Sequence, residues 1–240
     1  MTGAEYTLLA VTILLASALQ ASIGFGLGML AAPIIALVDA SLLPATIIMM
    51  ATLVTLLVAV RERAELDFHG TSWALGGRIP GTIGGAAMVA FLPDRVLALV
   101  LAGTVLIGVV FASTGWSPKM TPRTMFTAGA ASGLMGTATS IGGPPMALVW
   151  RGAEGPRLRG NMSAFFLFGS LFSLLALTVA GAVHPHAIRT CLIFLPAVAG
   201  GYVLSRFTDR FFDRQMLGRI ALAVSTFGAI LLIGNQVFGV

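Results

Sequence analysis

The ten residues Gly136–Pro145 read G-T-A-T-S-I-G-G-P-P and lie inside an apolar run from Met125 to Trp150. They hold three glycines, two prolines, two threonines and a serine, and no charge. No continuous helix survives such a composition. Pro144 and Pro145 lack backbone N–H groups and clash with the preceding turn, and glycine loses the most entropy on ordering. In a bilayer, broken backbone persists only where protein buries it or where it lines a wet cavity. Half-helix N-termini at that depth present amide hydrogens and a positive dipole end, which suit an anion. The stretch therefore reads as one half of a substrate site. The other half is Gln20–Gly28, Q-A-S-I-G-F-G-L-G.

The whole chain supports a membrane setting. Of its 240 residues, 57% are hydrophobic and 10% are charged, against roughly 25% charged in soluble domains. The expected fold class is an all-α integral membrane protein, with the lipid bilayer as its first partner. The net charge of +5 does not indicate nucleic acid, because no soluble basic domain carries it. The arginines fall between apolar segments, where they set topology. Cys191 is the single cysteine, which excludes an internal disulfide, and it reads as a small buried apolar residue. No Lys or Arg precedes the first apolar run, so a cleaved signal peptide is not expected.

Working outward from the two glycine-rich stretches, the chain divides into two similar halves. Residues 1–113 hold a broken segment at 6–38 and spans at 43–60, 73–92 and 96–113. A polar inter-repeat loop follows at 114–124. Residues 125–240 hold a broken segment at 125–150 and spans at 162–183, 188–205 and 217–237. The 33-residue first run is too long for one crossing of about 20 residues. Residues repeat along with the pattern. Ser22-Ile23-Gly24 returns as Ser140-Ile141-Gly142, 118 positions on, and the Thr52–Leu57 stretch returns as Ser170–Leu175 at the same offset. Pro80 with Gly84-Gly85 returns as Pro196 with Gly200-Gly201, and Asp94-Arg95 as Asp213-Arg214. Matches in order at nearly constant offset indicate an internal duplication.

Positive charge decides between two topologies. If each broken run crosses the membrane, the loops carry six Lys/Arg on one face and eight on the other. If each dips in and returns to its own side, twelve share one face, against Arg95 and Arg189 on the other. The second arrangement is expected. Each half is then a re-entrant helical hairpin plus three transmembrane helices. The halves are inverted relative to one another, and both termini are extracytoplasmic. Two hairpins entering from opposite faces can meet near the midplane, which is the architecture of alternating access.

The hairpin tips hold mostly neutral donors. The first offers Gln20, Ser22 and the backbone around Gly24, Gly26 and Gly28. The second offers Thr137, Thr139, Ser140 and the backbone of Gly142 and Gly143. Amides with hydroxyls beside them favour a small anion. The acidic residues all fall at segment ends or in loops, whereas cation transporters and proton pumps keep carboxylates at depth. His69, His184 and His186 fall in loops, so no metal site is expected. Arg78 is the one basic residue able to reach inward. It is carried as an electrostatic candidate, although snorkelling to the cytoplasmic surface is the favoured reading. Thr52, Thr55, Ser170 and Ser173 either face the site or bond back to their own helices. Asn161 and Ser163 read as a cap on the sixth span. Gly77, Gly81 and Gly85, spaced by four, read as a packing notch.

The residues resemble the sulfite exporter TauE/SafE family of membrane permeases, which includes proteins similar to 4-toluene sulfonate uptake permeases. The likeness rests on A-S-I-G-F-G-L-G-M-L-A-A-P near the N-terminus and on A-S-G-L-M-G-T-A-T-S-I-G-G-P-P-M-A-L at Ala131–Leu148. The Pro- and Gly-rich third span and R-G-N-M-S-A-F-F also fit. The resemblance implies a multi-pass transporter of the bacterial plasma (inner) membrane. It implies a small sulfur-containing anion, sulfite or an organosulfonate, as substrate, commonly exported, with a coupling ion as the further partner to expect. No cofactor is expected, and no Walker-type stretch is present. The alternatives are an anion channel or an uptake permease. A membrane enzyme is disfavoured, because no His, Lys or carboxylate in its segment can activate Ser140. An assembly protein would bind no anion.

Overall fold

The computed structural model describes residues 2–66, 68–113, 118–150, 155–211, 223 and 226–234, and every regular element within them is a helix. The chain is an all-helical protein. Its outer surface exposes apolar side chains such as Val11, Ile83, Leu175 and Phe207. Water would not tolerate so extensive an apolar face, whereas lipid covers it at no cost. Two helices, Gly3–Ile23 and Gly155–Val179, are each long and apolar enough to cross a membrane, and the pair Pro185–Ile193 and Leu195–Phe207 would add one bent span.

The first broken run forms α1 (Gly3–Ile23) and α2 (Leu27–Asp39). Thr2 and Glu5 close a capping box at the start of α1. Gly24 and Gly26 take φ +91° and +118°, a region closed to most L-residues, and this ends one helix and starts the next. The two ends of this element lie together. Tyr6 packs on Phe194, with ring centres 6.1 Å apart. Asp39 comes within 3.4 Å of His186, eight positions before Phe194 in the sequence. The chain therefore turns back on itself at the glycines.

Next come α3 (Ala45–Arg61), α4 (Phe68–Phe91) and α5 (Asp94–Ser113). Helix α4 runs unbroken through Pro80. The second broken run forms α6 (Pro122–Thr139) and the short α7 (Gly143–Val149). They are separated by Ser140, a non-glycine residue at φ +64°. Then follow α8 (Gly155–Val179), α9 (Pro185–Ile193) and α10 (Leu195–Phe211). Helices α9 and α10 are set at 48° to one another across Phe194, inside the stretch expected as one span at 188–205.

Glycines let the helices pack closely. Gly77 and Gly81 of α4 lie against the backbone of Phe126 and Ala130, and Gly85 lies against Leu134, Thr137 and Ala138. Gly201 of α10 lies against Leu14, Ser17 and Ala18 of α1. Helices α3 and α8 run antiparallel. Ile48 clusters with Leu177, Thr52 Oγ1 donates to Ser170 Oγ (2.9 Å), and Glu62 meets Arg159 (3.0 Å).

Three sequence readings need correction. Asn161 and Ser163 do not cap a helix. Helix α8 starts at Gly155, so both lie within it and are buried. The charges of Arg157 and Arg159 hid its first turns from an apolar reading. Arg78 does not snorkel to a surface. Helix α4 begins five residues before the expected Trp73, which sets Arg78 near its middle and buries it to 4% exposure. The expected charge count becomes eleven rather than twelve Lys/Arg on the cytoplasmic side. Most of the span at 217–237, together with Asp213, Arg214 and the start of the inter-repeat loop, lies outside the described residues, as do Asp67, Arg151 and Glu154.

Candidate functional site

The two breaks come into direct contact. Gly28, in the first turn of α2, lies so close to the backbone of Ser140 that a Cβ there would overlap the Ser140 carbonyl oxygen. Gly143, opening α7, lies against the ring of Phe25, where a Cβ would come within 2.6 Å. Only residues without side chains permit this approach. Each tip is also backed by the start of a helix from the other half. Gly24 rests on Met162 and the Arg159 backbone, and Ser140 Oγ donates to the Pro44 carbonyl oxygen (3.0 Å).

A cavity of about 40 Å³ opens where the tips meet. One water needs roughly 10–15 Å³ by the same measure, so the space takes a few waters or one small solute. From the first tip, Gln20, Gly26 and Gly28 line it, together with Phe25. Ser140, Gly142 and Gly143 line it from the second, together with Gly136 and Ile141. Arg78, Phe166, Ser170 and Ser173 complete much of the wall, and Ile48 and Ala51 contribute from α3. Of the residues singled out in the sequence, Ser22, Gly24, Thr137 and Thr139 do not line it.

Hydrogen bonding explains the division. The Leu27 amide donates to Gln20 Oε1 (3.0 Å), so Gln20 caps α2 from across the break. Thr137 and Ser173 share a bond of 2.7 Å, and Ser173 also donates to the Gly169 carbonyl (2.8 Å). Thr139 bonds back to the Met135 carbonyl (2.7 Å) and accepts from the Ile141 amide (3.4 Å). These threonines hold the second break in shape from behind. Thr55 likewise bonds back to the Ala51 carbonyl (2.8 Å). Thr52 does both: it bonds back to Ile48 (2.7 Å) and reaches across to Ser170.

Among the described residues, Arg78 is the only charged side chain on the cavity wall. Its Nη1 donates to Ser132 Oγ (3.0 Å), which in turn donates to the Gly142 carbonyl (2.6 Å). The guanidinium carbon stands 4.8 Å from the ring centre of Phe165 and 5.3 Å from that of Phe166. Phe25 and Gly136 lie inside the two stretches chosen from the sequence without being among the candidate donors, and Phe166 lies outside both. Phe25 carried a signal, since it lies between the glycines of the first motif. Phe166 follows R-G-N-M-S-A-F by a single position, but nothing in that string places it at a cavity.

Nearer one end of the bundle, Arg159 Nε and Nη2 both reach Glu62 Oε1 (3.1 and 3.0 Å). Arg61 Nε also meets Glu62 (3.0 Å), and Arg61 Nη2 donates to the Ala21 carbonyl (3.1 Å) near the end of α1. Among the described residues, no cluster of His, Cys, Asp and Glu is arranged to hold a metal ion.

The family model described as Sulfite exporter TauE/SafE matches residues 9–232 of the chain. No curated protein and no solved structure matches it.

Proposed function

The chain belongs to the sulfite exporter TauE/SafE family, a family of membrane transporters. From that premise we propose that it is a secondary transporter of a small sulfur-containing anion, sulfite or an organosulfonate. It works by alternating access between two inverted halves in a bacterial plasma membrane. The observation that carries this is the meeting of the two glycine-rich breaks around one small cavity that has Gln20, Arg78 and serine side chains on its otherwise largely apolar wall. Gly26, Gly28, Ser140, Gly142 and Gly143 form its two walls.

Several contacts favour inverted halves. The packing of Gly85 against Leu134, Thr137 and Ala138 is restated by Gly201 against Leu14, Ser17 and Ala18. The offsets are 116 and 120 positions. Pro33 of the first half faces Gly228 of the second, and Pro144 of the second faces Gly108 of the first; the glycines are 120 positions apart and the prolines 111. Thr52 and Ser170, counterparts at an offset of 118, bond to each other. The antiparallel course of α3 and α8, which contain them, suits a pseudo-two-fold axis in the membrane plane. The turned-back first hairpin suits the re-entrant topology, with twofold-related hairpins entering from opposite faces.

The test is a thermal-shift screen of the purified protein against sulfite, thiosulfate, sulfate, sulfoacetate, isethionate and taurine. At least one should raise the melting temperature, and Ser140→Phe, which fills the cavity, should remove that rise. Counterflow in liposomes then separates a carrier from a channel. Uptake of labelled substrate should accelerate when the same anion is loaded inside. If none of the anions stabilises the protein and no counterflow appears, the proposal fails.

A further inference from the structure

The reading of the cavity as an anion site leaves open which charge state it accepts, and Arg78 speaks to that. A guanidinium stays protonated in any protein environment, and burial of an unpaired ion is strongly unfavourable. Arg78 is 4% exposed. Among the described residues no carboxylate meets it: Glu62 is paired with Arg61 and Arg159, and Asp39 lies by His186. Its Nε is buried without a hydrogen-bond partner. Stacking on Phe165 and Phe166 and the bond to Ser132 offset part of this cost, since ring faces attract cations, but neither supplies negative charge.

The surroundings are shaped to hold the group. A Cβ on Gly169 would overlap the guanidinium, and one on Gly136 would come within 3.5 Å of Nη2. Both positions are glycine, so the fold keeps space for a planar cation beside the tips. One fixed positive charge is neutralised by one negative charge. A dianion of similar size would leave a net negative charge in a low-dielectric site where, among the described residues, no second cation or titratable group stands on the cavity wall.

We propose that Arg78 is the charge-selecting residue of the central cavity, which therefore accepts singly charged sulfur oxyanions, hydrogen sulfite or R–SO₃⁻, and rejects dianions such as sulfate. This rests on the cavity being the anion site. The guanidinium holds one oxyanion edge while amides of the two tips meet the remaining oxygens, so size is read by the tips and charge by Arg78.

The experiment measures concentration-dependent thermal stabilisation of the full-length purified protein by methanesulfonate and by sulfate, the first a monoanion and the second a dianion around neutral pH. Methanesulfonate should bind at least about tenfold more tightly, a difference equivalent to one decade in Kd. Sulfite should bind more tightly on the acid side of neutral, where hydrogen sulfite predominates, while methanesulfonate affinity stays flat with pH. Arg78→Gln should erase the preference between the two anions. Arg78→Lys should keep the preference while weakening both, because it keeps charge but loses the planar fork. A purely structural arginine would alter the melting temperature of the empty protein without altering the ratio. Equal binding of sulfate and methanesulfonate by the wild type overturns the inference and needs no variant to fold. So does a preserved ratio in a folded Arg78→Gln protein. If both anions bind equally and Ser140→Phe abolishes both, only the charge assignment falls. Binding of neither anion, with Ser140→Phe indistinguishable from wild type, overturns the reading of the cavity as well.

Discussion

Gly28 has no room for a methyl group, because the Ser140 carbonyl occupies the place its Cβ would take. The obstacle is backbone, which cannot rotate aside as a side chain would. Gly28→Ala should therefore cost about 1–3 kcal/mol, the usual range for overpacking, and a lowered melting temperature in detergent checks it. Gly84→Ala, in α4, where the nearest atom is a flexible Leu134 methyl at 3.5 Å, should melt within a degree or two of wild type. These tip glycines were legible in the sequence, since glycine and proline at such density state a backbone consequence directly. Arg78 was legible only as a basic residue in an apolar run. Its depth depends on where α4 starts, and Phe68–Ser72 do not announce a helix start through hydropathy. Thr137 and Thr139 were readable as polar groups near a break. Thr139 bonds to the Met135 carbonyl one turn back in its own helix, while the side taken by Thr137 is decided by Ser173, which only the packed helices bring near.

At the scale of elements, the two broken runs were visible because the first is too long for one crossing and the second carries Gly-Gly-Pro-Pro in its middle. The turn between α9 and α10 was not. Pro196 sits in the first turn of α10, where proline is well tolerated, and no residue at 194 marks a boundary by composition. Helix α8 starts seven residues before the expected position, because its opening turns carry Arg157 and Arg159, and the second pairs with Glu62 instead of meeting water. That pair ties the start of α8 to the end of α3, beside the first tip. Both side chains are about one-tenth exposed. A double-mutant cycle with Glu62→Gln and Arg159→Gln should give a coupling of about 1–3 kcal/mol, above the exposed-pair range and below a fully buried pair. Chemical denaturation in mild detergent reads it. Additive single effects would show that the two side chains act independently.

For the whole molecule, an all-helical membrane class could be read from composition, while the contacts between the first and second parts of the chain could not. Sequence likeness places Gly85 opposite Gly201 in an alignment. It does not say that each packs against the other half's broken helix. The halves also differ in shape. Aligning Pro80 with Pro196 pairs Arg78 with Phe194, at an offset of 116, yet α4 passes Arg78 as one helix while its counterpart turns by 48° at Phe194. Under the inverted-halves reading, the opposite-facing conformation follows by trading these shapes: α9 and α10 straighten, and α4 folds at Arg78. Spin-label pairs placed across each element should then report length changes of opposite sign when the anion is added, and unchanged lengths in both would exclude the trade. The pivot of the second half-cycle would be the very side chain that carries the positive charge, so swinging the helix and releasing the cargo would be one motion.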